Sequence, residues 1–177
     1  MSRLTSLSPQ AIRAMYGSET SQDLIALVTI YDPNTPSTVL FRIADSFTGR
    51  LTDLTTDQEI IYGITSNSYE YAFMPFQITL PTEQDTGMGQ CSIVVNYALP
   101  QAIQVIRDGL FNKPAKVLIQ YVLSGTPDVV EVSFIDFYIT SVTYNAQQIT
   151  LNLDMISLVR EPFPCYNFTP GYFPGLF

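Results

Sequence analysis

Lys113 and Lys116, the carboxylates Asp45, Asp53, Asp57 and Glu59, and the thiols Cys91 and Cys165 are the side chains whose types could do chemistry here. Nucleophilic catalysis by serine or cysteine normally needs an imidazole as base, and the chain has no histidine. A serine-lysine pair would have to use Lys113 or Lys116, and both sit in the turn-like stretch NKPAK, where a lysine is expected to be solvated. The four carboxylates lack the alternating oxygen ligands of a calcium loop and carry no signature of a hydrolase pair, so they are expected on a solvated loop. Two distant cysteines without histidine supply none of the usual zinc sets, and a disulfide would need the fold to bring them together. Gly87-Met88-Gly89 has neither the third glycine nor the following helix of a phosphate cradle. Asn167-Phe168-Thr169 fits a glycosylation acceptor only if the chain is secreted. No enzyme, metal site or cofactor is expected.

Around these residues the sequence reads as strands. DLIALVTIYD (23–32) and TVLFRIAD (38–45), joined by a proline- and asparagine-rich turn, predict an antiparallel hairpin. EIIYGITS, SYEYAFMPFQITLP and GQCSIVVNYAL continue the β pattern, with Pro75 marking an edge or a bend. AKVLIQYVLSG, VVEVSFIDFYITSVTYN and QITLNLDMISL complete it, the second with two partly apolar faces or a change of layer near Asp136. Ser8 and Pro9 predict a short N-terminal helix that stops at Gly17, and LPQAIQVIRDGLF predicts an amphipathic helix over about 99–111. The stretches 46–57 and 82–89 are expected to be connections. The aromatic residues Tyr62, Tyr69, Tyr71, Phe73 and Phe76 are either core or the shelf of a sugar-binding surface. The expected fold is therefore mainly β, an antiparallel β-sandwich or barrel over 21–159, with a helical arm over 1–20 and an extended arm over 160–177.

Charge and hydropathy restrict partners. Eight basic against sixteen acidic residues give a net charge of −8, which disfavours binding to phosphate backbones. Only 14% of residues are charged while 46% are hydrophobic, a surface balance suited to meeting other protein. No run of eighteen apolar residues is present, so no membrane insertion by a helix is expected, and MSRLTSLSPQAIRAM lacks the apolar core of a secretion signal, so synthesis in a cytoplasm is expected. The stretch REPFPCYNFTPGYFPGLF carries six aromatic residues (Phe163, Tyr166, Phe168, Tyr172, Phe173, Phe177) and four prolines. Such a stiff, apolar segment is expected to dock, either on a neighbouring molecule or back on its own domain.

The order of these segments, and above all the E-P-F-P element, the T-P pair and the closing F-P-G-L-aromatic, resembles the DUF1833 family of tail proteins in long-tailed bacteriophages, over residues 15–177. The resemblance implies a virion protein of the tail tip with a fold akin to tail-tube and distal-tail subunits, made in the host cytoplasm. Its implied partners are the tube, distal-tail, hub and tape-measure proteins and further copies of itself in a ring of three or six. Iron-sulfur modules of some similar proteins need four cysteines, and two cannot supply them. A ring around a channel would make Asp45, Asp53, Asp57, Glu59, Glu83 and Asp85 candidates for lumen-facing carboxylates that keep transiting DNA from adhering. The alternative function is a receptor- or carbohydrate-binding module of the host-attachment apparatus.

Overall fold

A computed structural model describes residues 7–17, 22–32, 35, 37–52, 60–80, 83–84, 87–88, 91–96, 114–145 and 147–155, with the backbone alone at Glu83, Gln84, Gly87, Met88, Asp136 and Met155. Among the described residues one helix, α1 (Pro9–Tyr16), precedes twelve strands: β1 (Leu24–Tyr31), β2 (Val39–Ala44), β3 (Gly49–Arg50), β4 (Tyr62–Ser66), β5 (Tyr69–Phe73), β6 (Phe76–Thr79), β7 (Glu83–Gln84), β8 (Gly87–Met88), β9 (Cys91–Val95), β10 (Lys116–Leu123), β11 (Thr126–Tyr144) and β12 (Ile149–Met155). The chain is mainly β, as its sequence predicts. The helix expected at 99–111 and the arm at 160–177 lie outside the described residues.

Ten strands form one sheet in the order β3-β4-β5-β2-β1-β10-β11-β12-β9-β6, and β7-β8 form a separate small ladder. Every pairing is antiparallel except β2 with β5, which run parallel through Ile43↔Ala72 and Ala44↔Phe73. The sheet is open among the described residues, since no ladder joins β3 to β6. A hydrogen-bonded barrel, one of the two expected arrangements, therefore does not form. The sheet nevertheless curls tightly. β5 and β6 stand far apart in strand order, yet only Met74 and Pro75 separate them in the chain. The Met74 N–H donates to the Ala44 carbonyl (2.9 Å), and the Pro75 carbonyl accepts from the Asn96 N–H (3.0 Å). Proline has no donor for a continuing ladder, which is why the β-rich run 68–81 breaks there, at the edge or bend that Pro75 predicts.

β1 is the centre of the packing. Its uninterrupted apolar run LIALVTIY is buried on both faces, the pattern of a covered strand rather than one with a wet side. Ala26, Val28 and Ile30 enter a core shared with Val117, Ile119, Ile93 and Leu151, drawn from strands around the curl. Ile25 and Leu27 point the other way, into a second core with Ile64 and Tyr71, because the β4–β5 hairpin folds back over the outer face. The Thr29 hydroxyl donates to the Tyr71 hydroxyl (3.3 Å) within that layer. The hairpin tip is held by the Ser66 Oγ, which donates to the Pro127 carbonyl (2.7 Å), and by the Asn67 N–H, which donates to Asp128 Oδ1 (2.7 Å). Asn67 and Ser68 both have positive φ, 48° and 66°, the conformation of a two-residue turn that matches the strand twist.

The nineteen-residue β11 serves both cores by slipping register. Val117 opposes Phe137 while Ile119 opposes Phe134, so β11 spends an extra residue at 135–136. That bulge switches its core-facing set from Val132 and Phe134 to Phe137 and Ile139. The layer change expected near Asp136 is thus a change of parity along one strand. Exposed Ile135 (57%) is the residue it turns outward.

Candidate functional site

A group of exposed aromatic side chains lies on the β3–β4–β5 margin. Phe47 (49% exposed) touches both Tyr62 (47%) and Phe73 (39%). The Phe47 and Tyr62 rings have centroids 5.3 Å apart and planes at 51°; Phe47 and Phe73 are 5.1 Å apart at 66°. Tilted and edge-to-face rings of this kind attract one another. Tyr62, Ile64, Tyr71 and Phe73 share one face by strand alternation and by the register Ile64↔Tyr71. The inner pair, Ile64 and Tyr71, enters the second core, and the outer pair remains at the rim. Ile60 is exposed as well, on the chain entering β4, and its neighbour Ile61 is exposed towards the opposite face. Tyr69 is exposed too, and the Arg42 guanidinium lies 4.3 Å from its ring centroid. Of the five aromatic residues weighed as core or shelf, Tyr71 and Phe76 are core, whereas Tyr62, Tyr69 and Phe73 are surface. Phe47 belongs to a stretch whose polar composition reads as a loop, so its part in the cluster comes only from the β2–β3 connection returning beside β4.

Arg50, paired with Tyr62 in the β3–β4 ladder, has its Nε and Nη2 buried and without a hydrogen-bond partner. On the other face of the same strands a trough of about 380 Å³ runs between Val39, Phe41, Leu51, Ile61 and Ala72, with Arg42, Glu70 and Thr52 among its polar lining residues.

Asp45 lines a separate cleft of about 430 Å³ with Ala26, Tyr121 and the β6 residues Phe76 to Thr79. Its Oδ1 accepts from the Ala26 N–H at 2.9 Å, and its own N–H donates to the Ala26 carbonyl at 3.2 Å. Burial pushes its carboxyl above the ordinary 3.8, against the opposing pull of the Ala26 and Asp45 backbone N–H groups on the carboxylate. The Tyr121 phenol is also pushed up, by burial first and then by Asp45 and Cys91. Asp45 is the one carboxylate among the described residues that line the cleft. It is half-buried and engaged, not a free loop charge as its sequence neighbourhood suggests. Cys91 is buried, and burial raises its thiol to about 11, which removes thiolate character at neutral pH.

Glu131 is the buried carboxylate that the sequence pattern does not single out. Ser8 donates to it twice, from the backbone N–H to Oε2 (2.9 Å) and from the hydroxyl to Oε1 (2.8 Å). The Ser8 Oγ also accepts from the Ala11 N–H (3.1 Å), so the predicted N-cap residue joins helix and sheet. A lone acid within the apolar run VVEVSF is the signal that could have found it. Asp53, Asp57, Glu59, Asp85, Lys113, Cys165, Phe163, Tyr166, Phe168, Tyr172, Phe173 and Phe177 lie outside the described residues, and Glu83 is described by its backbone alone, in β7. Among the described residues no group of three or more metal-ligating side chains is assembled, and no helix is long and apolar enough to cross a membrane. No family model matches the chain, and no curated protein matches it either.

Proposed function

We propose that this chain is a non-enzymatic structural subunit of a siphophage tail tip, a ring-forming adaptor between the tail tube or distal-tail ring and the central hub. The observation that carries this reading is the aromatic and aliphatic margin of Phe47, Ile60, Tyr62, Tyr69 and Phe73, exposed apolar side chains of the kind that assembly covers. The order of sequence elements that resembles the DUF1833 tail proteins supplies the setting. The proposed partners are the tube, distal-tail, hub and tape-measure proteins and two or five further copies of the chain. The lumen-facing role falls to Asp53, Asp57, Glu59, Glu83 and Asp85, since Asp45 is engaged with Ala26. Immunogold labelling of tail particles tests the proposal: gold at the distal end supports it, and gold on the head, along the tail shaft or on no particle refutes it.

The exposed rings of Tyr62, Tyr69 and Phe73 favour a second reading, a carbohydrate-binding module of the host-attachment apparatus. Titration of the protein with host cell-wall oligosaccharides decides between the two. Saturable binding that Tyr62→Ala and Tyr69→Ala abolish supports the module, and the absence of any binding leaves the adaptor.

A further inference from the structure

The geometry points to the Phe47–Tyr62–Phe73 cluster as the seat for the aromatic, proline-rich segment 160–177 of a second copy of this chain. The inference rests on the adaptor reading and names the contact that would link one subunit to the next. Three features select the occupant. The rings meet at 51° and 66°, so the cluster is a stepped surface that offers ring edges as well as faces, not the flat platform on which a sugar stacks. Stepped aromatic surfaces take prolines and ring edges, and proline-rich segments enter them with little entropy left to lose. Segment 160–177 offers Pro162, Pro164, Pro170 and Pro174 between six aromatic residues. The seat is also open in the single chain, each ring being 39–49% exposed. Reach is sufficient as well: Phe173 stands eighteen residues beyond Met155 in β12, up to about 60 Å of extended chain, enough to leave one domain and cross to the next.

A photo-crosslinking residue placed at Phe168 of the full-length protein, in an equal mixture of isotope-labelled and unlabelled copies, tests the seat directly. The expected product joins residue 168 of one isotope to the segment 47–73 of the other. Phe47→Ser with Tyr62→Ser is expected to reduce that product at least about tenfold, since aromatic anchors carry most of an interface. Circular dichroism on the same sample checks that the β sheet persists. Products confined to a single isotope would mean that the segment caps its own domain and would overturn the inference, as would crosslinks elsewhere on the sheet. Loss of oligosaccharide binding in the same double variant, with crosslinking unchanged, would assign the seat to a glycan instead. The adaptor reading fails separately: inter-copy crosslinks at this seat in a protein that never labels tail tips would leave the contact standing and remove the setting.

Discussion

Replacing Glu131 should release α1 from the sheet. An isolated helix of eight residues is too short to persist in water, so α1 survives by docking. Its ties include Ala11, fully buried, and the two hydrogen bonds from Ser8 to a carboxylate only 8% exposed. Hydrogen bonds to a charged group contribute roughly 1.5–3 kcal/mol each. Partial re-solvation of Ser8, which is half-exposed, offsets some of that, and Glu131→Ala should destabilise the protein by about 3 kcal/mol. Ser8→Ala removes one of the bonds and the N-cap, worth about 1 kcal/mol alone, for a total of roughly 2–4 kcal/mol. Because both substitutions remove the same hydroxyl-carboxylate contact, the double variant should fall short of the sum by roughly 1.5–3 kcal/mol. Urea unfolding of the four proteins measures the coupling, and hydrogen exchange over residues 9–16 shows where it acts. The single variants should lose protection in α1 while β1 keeps its own. A coupling below about 0.5 kcal/mol, with α1 protection unchanged, would refute the reasoning, because independent sites show coupling of that size.

Gly63→Ala should cost more than about 3 kcal/mol, since a Cβ there would meet the Tyr71 carbonyl oxygen and come within 2.5 Å of Leu51 Cδ1; thermal denaturation would show it, and an unchanged midpoint would contradict the β4–β5 approach. Ser68→Gly should raise stability by roughly 0.5–1 kcal/mol by relieving its φ of 66°, read from the same melting curves. Arg50→Met should stabilise by about 1 kcal/mol or more, because it replaces a covered guanidinium having unpaired Nε and Nη2 with an apolar side chain of similar length. Asp45→Asn should stabilise the protein at neutral pH. Burial raises the folded-state pKa of Asp45 above 3.8, so the folded chain holds its proton more tightly and stability falls as pH rises through that raised value. The advantage of the asparagine should shrink and vanish as pH drops below 3.8, which parallel urea titrations at several pH values would check.

How much of this was legible in the sequence differs by element. The hairpin of β1 and β2 was, because an apolar run, a proline-asparagine turn and a second run are adjacent in the chain. So were the cap at Ser8 and the break at Pro75, each set by local backbone chemistry. The parallel β2–β5 pairing was not, since nothing in the alternation of YEYAF says which strand it lies against. Nor was the bulge at 135–136, since the register shift that makes it leaves almost no mark on composition. For the candidate site, Tyr62 and Phe73 lie on the same hairpin face as Ile64 and Tyr71, and only how far along the strands the outer layer covers β1 separates the exposed pair from the core pair, a tertiary fact. Phe47 was hidden by polar neighbours, and the Ser8–Glu131 pair spans 123 residues, beyond any local pattern.

The two-residue joint at Met74 and Pro75 has a mechanical consequence. It ties the exposed aromatic rim to the opposite border of the sheet through a link that cannot lengthen, braced at one end by Ala44 and at the other by Asn96. Load applied to the rim is therefore delivered along Phe73–Phe76 straight to β9 and β12, bypassing the strands between. A subunit gripped by its rim would feel the pull first at the root of the polypeptide that leads away from β12.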